Sequence, residues 1–395
     1  MRRIVVLSIL AFLLVGTHRG AALDKLEYWS EPRRGANWFN EVPTREWLEA
    51  ARAAGIAVVR LAPNKWATEE RDFLIGDADQ YDGLVERDLE MLLEVLDQAH
   101  AAGVGVVLTT LSLPGARWRQ HNEMRLDPRL WRDPGFLPQA AALWRDLAAR
   151  LAGHPAVVGY NILNEPVPER ATGFDGWEPR DLLEWYSRVE GTPADLNRFN
   201  ASVVQAIREV DPDTPIVLDS GSWGSPAAIA YLRPLADERV LYSFHMYEPF
   251  VYTNKKANGG RFDYPGKIVS EAGGGRARLE IDLNANTLEA ILRPVVEWQE
   301  RHEVPANRVF AGEFGCHRTT GGAGRYLEDV IEIFDAHGWH WAFYSFREDT
   351  WDGMDYELGA KPLGWAYWRA KERGEAPGVK RFANPVWAVL ERGLR

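Results

Sequence analysis

The chain has 395 residues, 46% of them hydrophobic, and a formal net charge of -11. That much apolar material buries one large core, and the acidic balance argues against a nucleic-acid partner while suiting a neutral substrate. A single cysteine, Cys316, excludes an intrachain disulfide and reads as a buried small apolar residue rather than a reactive thiol.

At the start of the chain, Arg2 and Arg3 precede an apolar run from Ile4 to Val15, followed by Gly20-Ala21-Ala22. This is the pattern of a secretory signal peptide over residues 1–22 with cleavage near Ala22. The run falls short of the ~20 apolar residues that span a bilayer, so no stable membrane insertion is expected once it is removed. The mature chain, 23–395, is expected to be a secreted or periplasmic monomer.

From there strand-like and helix-like segments alternate, the signature of parallel βα units. Strands are expected at Arg34–Trp38, Ala57–Leu61, Gly105–Thr110, Ala156–Leu163, Pro215–Asp219, Val240–His245, Arg308–Gly312 and Trp339–Ser345. Amphipathic helices are expected between them at Thr44–Ala54, Leu84–Ala102, Pro138–Leu151, Leu196–Val210, Leu288–His302 and Gly324–His337. The segment Ser225–Leu235 is a weak crossover, and a closing helix falls near Pro385–Leu394. Eight such units favour a closed (β/α)8 barrel, the TIM-barrel fold, as a single domain. Its long connections, Leu111–Gly135, Glu165–Asp195, Met246–Asn286 and Phe346–Asn384, all follow strands. Function is therefore expected on that one face.

Polar residues where strands end are the candidates for chemistry. Arg60 closes the second strand, Asn164 and Glu165 close the fourth, His245 and Tyr247 follow the sixth, and Glu313 closes the seventh. Pro166 cannot donate to a sheet, so it forces a turn directly after Glu165. An arginine ending an apolar strand needs a carboxylate partner, and Glu313 is the natural one. Two glutamates ending different strands match what glycosidic cleavage between paired carboxyl groups requires.

In chain order, Arg60, Asn164-Glu165-Pro166, His245-Met246-Tyr247 and Glu313-Phe314-Gly315 resemble glycoside hydrolase family 5, within the clan of retaining barrel glycosidases. The resemblance runs from about Gly35 to Arg347. It implies an O-glycosyl hydrolase with Glu165 as acid/base and Glu313 as nucleophile. It also implies that Asn164 binds the sugar 2-hydroxyl, that Arg60 and Tyr247 orient Glu313, and that His245 stands beside the cleavage point. The substrate expected is a β-linked polysaccharide or oligosaccharide of β-glucan or β-mannan type. Two positions depart from the family: Leu111 stands where a histidine is common, and Tyr344 where a tryptophan is usual. They mark an atypical subgroup and place the common cellulase pocket in doubt.

Tryptophans fall in the long loops at Trp66, Trp118, Trp131, Trp177, Trp223 and Trp351, and one or two are expected to line the cleft as stacking platforms. Trp351, with Trp38 at the end of the first strand, is taken as substrate-binding or supporting. No cofactor is implied. The acidic group Asp349, Asp352, Asp355 and Glu357 lacks the spacing of a calcium loop, so no metal is expected. The alternatives are a β-glycosidase acting on a glycolipid or other glycoconjugate, a non-catalytic carbohydrate-binding barrel, and a metal-dependent barrel hydrolase. The last would need histidines clustered at strand ends, and the first strand shows no His-x-His.

Overall fold

The computed structural model describes residues 25–395 except 175, 177, 178, 273–276, 349–352 and 376. The expected signal segment and Trp177, Asp349, Trp351 and Asp352 lie outside the described residues. The strands are β1 (Arg34–Trp38), β2 (Val58–Leu61), β3 (Gly105–Thr109), β4 (Val157–Asn161), β5 (Ile216–Asp219), β6 (Val240–Met246), β7 (Gly266–Ala272), β8 (Ala277–Leu283), β9 (Val309–Phe314) and β10 (His340–Phe343). Eight of them close a barrel in the order β1-β10-β9-β6-β5-β4-β3-β2, with every neighbouring pair parallel. β7 and β8 form a separate antiparallel hairpin in the connection between β6 and β9. The fold is the expected (β/α)8 barrel.

The strand sequences read as unbroken apolar runs because both faces are covered. Helices such as Glu86–Ala102 and Phe136–Leu151 pack Leu89, Leu92, Leu143 and Leu147 onto the outer face. Inside, Val58, Val107, Val217, Leu241 and Phe310 form a separate apolar layer plugged by Trp29, whose indole N–H donates to the Val158 carbonyl. Side chains alternate along a strand. Two residues beyond that layer therefore come Arg60, Thr109, Asp219 and Ser243, with His245 two further on. This stacking of a polar layer over an apolar plug places charged groups at the C-terminal mouth.

Two irregularities set the site. A register shift pairs Phe244 with Ala311 but His245 with Glu313, which brings those two side chains to the same rim. Gly312 lies within that shift, where a Cβ would come 2.6 Å from Ser243 Oγ, so a side chain there would force Ser243 to move. The fourth strand is shorter than expected, ending at Asn161, and Asn164-Glu165-Pro166 is a turn above it rather than the strand end. The Asn164 N–H donates to the Thr110 carbonyl at 2.8 Å, and Glu165 takes φ +49 in the left-handed region. Such a conformation in a non-glycine residue costs of order 1–3 kcal/mol and persists only where its surroundings hold it.

The connection Met246–Asn286, expected as loop, carries the β7–β8 hairpin and short helices at Phe250–Thr253 and Lys255–Asn258. The Phe346–Asn384 connection contains a helix at Trp365–Glu372. Among the described residues no helix is long and apolar enough to cross a membrane.

Candidate active site

Arg60 is the hub of the barrel mouth. It is fully buried, and its guanidinium reaches across the barrel to four other strands or their ends, β1, β4, β5 and β9. Nη1 donates to Glu313 Oε1 at 2.6 Å and to Asn37 Oδ1 at 3.2 Å. Nη2 donates to Asn164 Oδ1 at 2.7 Å and to Asp219 Oδ2 at 3.1 Å, while Nε donates to Asn161 Oδ1 at 2.9 Å. A buried guanidinium is tolerated when its donors are filled and its charge is matched, and both conditions hold here. The second oxygen of Glu313 accepts the Tyr247 hydroxyl at 2.8 Å. Both Glu313 oxygens are thus held, so the carboxylate has one orientation.

Glu165 stands opposite. Its Oε1 lies 3.0 Å from His245 Nδ1, and its backbone N–H donates to Asp219 Oδ2 at 3.2 Å. Burial pushes its carboxyl above the ordinary range; the His245 hydrogen bond opposes this and the Glu313 charge adds to it. His245 behaves conversely. Burial disfavours its charged ring, but Glu313 and Asp219 outweigh that and raise it to about 10. Its Nε2 lies 3.3 Å from Asp219 Oδ2, an ion-pair contact rather than an aligned hydrogen bond. For Asp219, burial is outweighed by the His245 and Arg60 charges, which hold its carboxyl far below the usual range. Burial, then the Glu313 and Glu165 charges, keep the Tyr247 hydroxyl protonated.

With Glu165 protonated, Arg60 and the His245 ring balance Asp219 and Glu313, so a neutral site already contains one transferable proton. One ligand-type atom each from Glu165, His245 and Glu313 lies within 4.8 Å of the others. That spacing would also suit a cation. The donor set opposes one, because a cation would have to displace the proton that Glu313 and Asp219 hold on His245, and Arg60 already compensates Glu313.

Sequence reasoning singled out Arg60, Asn164, Glu165, His245, Tyr247 and Glu313, and the structure brings all of them together. It missed Asp219, Asn161 and Asn37. Asp219 and Asn161 end β5 and β4, but Asn161 falls inside the longer fourth strand expected from sequence, and Asn37 is hidden within β1. Tyr344 lies on the mouth wall against Phe39, its hydroxyl accepting from Asn40 Nδ2 at 3.4 Å. Trp38 does not line the site. Alternation along β1 turns Asn37 inward and Trp38 outward, where it packs 4.4 Å from Trp47 and donates to the Glu41 carbonyl. Trp351 lies outside the described residues. Of the acidic group after β10, Asp355 pairs with Arg381 at 2.7 Å and Glu357 with Arg347 at 2.6 Å, which is structural use. Cys316 is fully buried, and burial raises its thiol far out of the reactive range.

A cavity of about 360 Å³ opens directly beside Glu165. Leu111, Trp118, Leu126, Trp131, Val167 and Trp223 supply much of its wall. Leu111, in the histidine position, also packs with Phe39 and Ala62 and turns that side of the mouth apolar. Among the loop tryptophans, Trp66 is instead buried against Phe73.

Comparison with known proteins bears directly on this geometry. The family description Cellulase (glycosyl hydrolase family 5) matches residues 19–350. Endoglucanase C of Acetivibrio thermocellus is 24% identical over 339 residues, covering 81% of this chain and 87% of that protein. Probable glucan 1,3-beta-glucosidase A of Aspergillus fumigatus is 26% identical over 361 residues, covering 87% of this chain and 72% of its own length. Among solved structures, endoglucanase Cel5A from Thermotoga maritima superposes with a TM-score of 0.58 at 19% identity, over 82% of this chain and 93% of that one.

Proposed function

The chain belongs to the cellulase family, glycosyl hydrolase family 5, and is an O-glycosyl hydrolase; from that premise we propose that it cleaves β-glycosidic bonds with retention, using Glu313 and Glu165 in a double displacement. The observation that carries this reading is the pairing of two carboxyl groups within 4.8 Å at their nearest candidate atoms but in opposite environments. Retaining enzymes hold their carboxyl groups about 5–5.5 Å apart, and inverting ones about 6.5–9.5 Å, to admit a water.

Glu313, oriented by Arg60 and Tyr247, attacks the anomeric carbon as Glu165 gives its proton to the departing oxygen. A glycosyl ester forms on Glu313. Having given up its proton, Glu165 is now a carboxylate; burial still favours its protonation, while ester formation removes the smaller contribution of the Glu313 charge. It then deprotonates water, which attacks the same carbon from the face the leaving group vacated. Asn164, anchored on Arg60 through its oxygen, keeps its amide N–H groups available for the sugar 2-hydroxyl.

The leaving half must sit on the Glu165 side, over the cavity bounded by Trp118 and Trp223. A β-glucan or β-mannan chain suits these platforms, and endoglucanases among the relatives support it. A glycolipid is the second reading, favoured by the apolar wall that Leu111, Leu126 and Val167 add. Proton NMR of fresh product would test the mechanism: retention gives the β-anomer first, whereas an initial α-anomer would refute it. A glycan and glycolipid panel separates the substrates. We propose in addition that residues 1–22 direct export, so protein recovered outside the cytoplasm should lack them by mass.

A further inference from the structure

The exposed apolar side chains are not spread evenly over the molecule. Nine large hydrophobic residues are exposed among the described residues, and every one lies in a connection that follows a barrel strand. Leu126 follows β3, Trp223 follows β5, Phe250 follows β6, and Trp365 and Phe382 follow β10. In a parallel barrel these connections all sit at the end that carries Glu165 and Glu313. None of the nine lies in a connection that enters a strand, at the opposite end. Apolar surface gathered on one face marks a place where something docks.

Its strongest part is the helix Trp365–Glu372. Only Ala370 of that helix is buried, whereas Trp365 is 69% exposed and Tyr367 and Trp368 are half-buried. Trp365, Trp368 and Arg369 share one helix face by their spacing, and the Arg369 guanidinium lies 3.8 Å from the centre of the Trp365 ring. From Lys361 to Arg381 the chain holds six basic residues and two acidic ones, although its overall charge is -11. Phe250, 57% exposed, repeats the pairing, with exposed Lys255 and Lys256 in the short helix that follows. The connection after β9 joins the two regions. The His317 N–H donates to the Thr253 carbonyl at 2.9 Å and the Arg318 N–H to the Gly353 carbonyl at 2.8 Å. The Arg318 guanidinium also reaches the Gly359 and Lys361 carbonyls.

We propose that this face docks on an anionic lipid surface, with the barrel mouth turned toward it. Tryptophan and tyrosine settle at the level of lipid headgroups, and lysine or arginine among them meets the anionic phosphates. Charge decides the occupant. A neutral glucan would use the aromatic rings but gain nothing from the basic residues around them. A groove for a peptide would gather the rings, whereas here they are spread over connections from several strands. Among the described residues no helix can span a bilayer, so the contact is with the surface of one. Docking is independent of which glutamate attacks, and it would bring a membrane-borne glycoside to the mouth.

Two double variants test this, Trp365→Ala with Trp368→Ala and Lys371→Gln with Arg373→Gln, because none of these residues belongs to the catalytic constellation. The exported protein would be sedimented with sucrose-loaded vesicles of phosphatidylcholine, with and without phosphatidylglycerol. Turnover of a soluble aryl β-glycoside of an accepted sugar reports whether each variant is folded. The wild type should bind the anionic vesicles about tenfold more tightly than the neutral ones, and less tightly as salt is raised. Either double variant should weaken that binding about tenfold while turnover of the soluble glycoside stays unchanged. No sedimentation of the wild type with anionic vesicles, or binding that survives either double variant, would overturn the proposal. Retention on an insoluble glucan through Trp365, with no vesicle binding, would overturn it too. Failure of the double displacement would show instead as an inverted product and leave sedimentation as it is.

Discussion

The backbone N–H of Glu165 donates to Asp219 Oδ2 at 3.2 Å, and that same oxygen accepts Arg60 Nη2 at 3.1 Å. One carboxylate thus ties the left-handed turn carrying the proposed proton donor to the guanidinium that orients the proposed nucleophile. The two glutamates are positioned by a residue that touches neither of their carboxyl groups.

Asp219→Asn leaves the shape intact and removes the charge. Loss of one partner from a buried ion pair costs about 3–5 kcal/mol, so the urea midpoint should fall accordingly. The His245 ring, which Asp219 helps to raise to about 10, should titrate lower, and NMR of the ring protons would register it.

Glu165→Ala should lower kcat/KM by about 10²–10⁴ on substrates with poor leaving groups. A dinitrophenyl glycoside needs no protonation to depart, so its glycosylation step should be nearly unaffected. Added azide should then rescue turnover and yield a β-glycosyl azide. Equal losses on both substrate types would contradict the acid role.

Activity should fall as pH rises through the raised Glu165 pKa, since the departing oxygen needs its proton. The Glu313 charge contributes to that elevation, so Glu313→Gln should move the Glu165 titration to lower pH. Carbon-13 NMR of the labelled carboxyl measures it in the inactive variant.

Glu348, which accepts the backbone N–H groups of Phe39 and Asn40, gives a second pH signature. Its folded pKa of about 7 lies above the ordinary 4.5, so the folded state favours the protonated form. The chain therefore loses stability from this group as pH rises from 4.5 to 7 and stays level above, by about 3 kcal/mol in all. Glu348→Gln should be nearly neutral at pH 4 and stabilising at pH 8, read as the difference in urea midpoints.

Trp118→Ala removes a wall of the cavity beside Glu165. Stacking losses of about 0.5–1.5 kcal/mol correspond to roughly two- to tenfold in KM for a substrate with an extended leaving group. A short aryl glycoside should lose less.

The strand-end rule made the barrel and most of its mouth legible, because a charged residue closing an apolar run has few explanations. Arg60, Glu165 and Glu313 stand out for that reason. The rule reaches Asp219 as well, but Asn37 lies within β1 and Asn161 ends β4 two residues before the end expected at Leu163, so only barrel closure reveals which face they share. Trp38 fails for the same cause: one position along β1 separates the barrel interior from the helix layer. Glu348 was invisible because its role depends on backbone N–H groups some 300 residues away in sequence, at Phe39 and Asn40. The β7–β8 hairpin escaped because its short alternating strands pair only with each other.

The most direct test of the two-glutamate account is covalent trapping. Incubation with an activated 2-deoxy-2-fluoro-β-glycoside of an accepted sugar, followed by peptide mass mapping, should place one fluoroglycosyl group on Glu313, with none on the Glu313→Ala variant. A label on Glu165, or turnover of the reagent with no label at all, would contradict it.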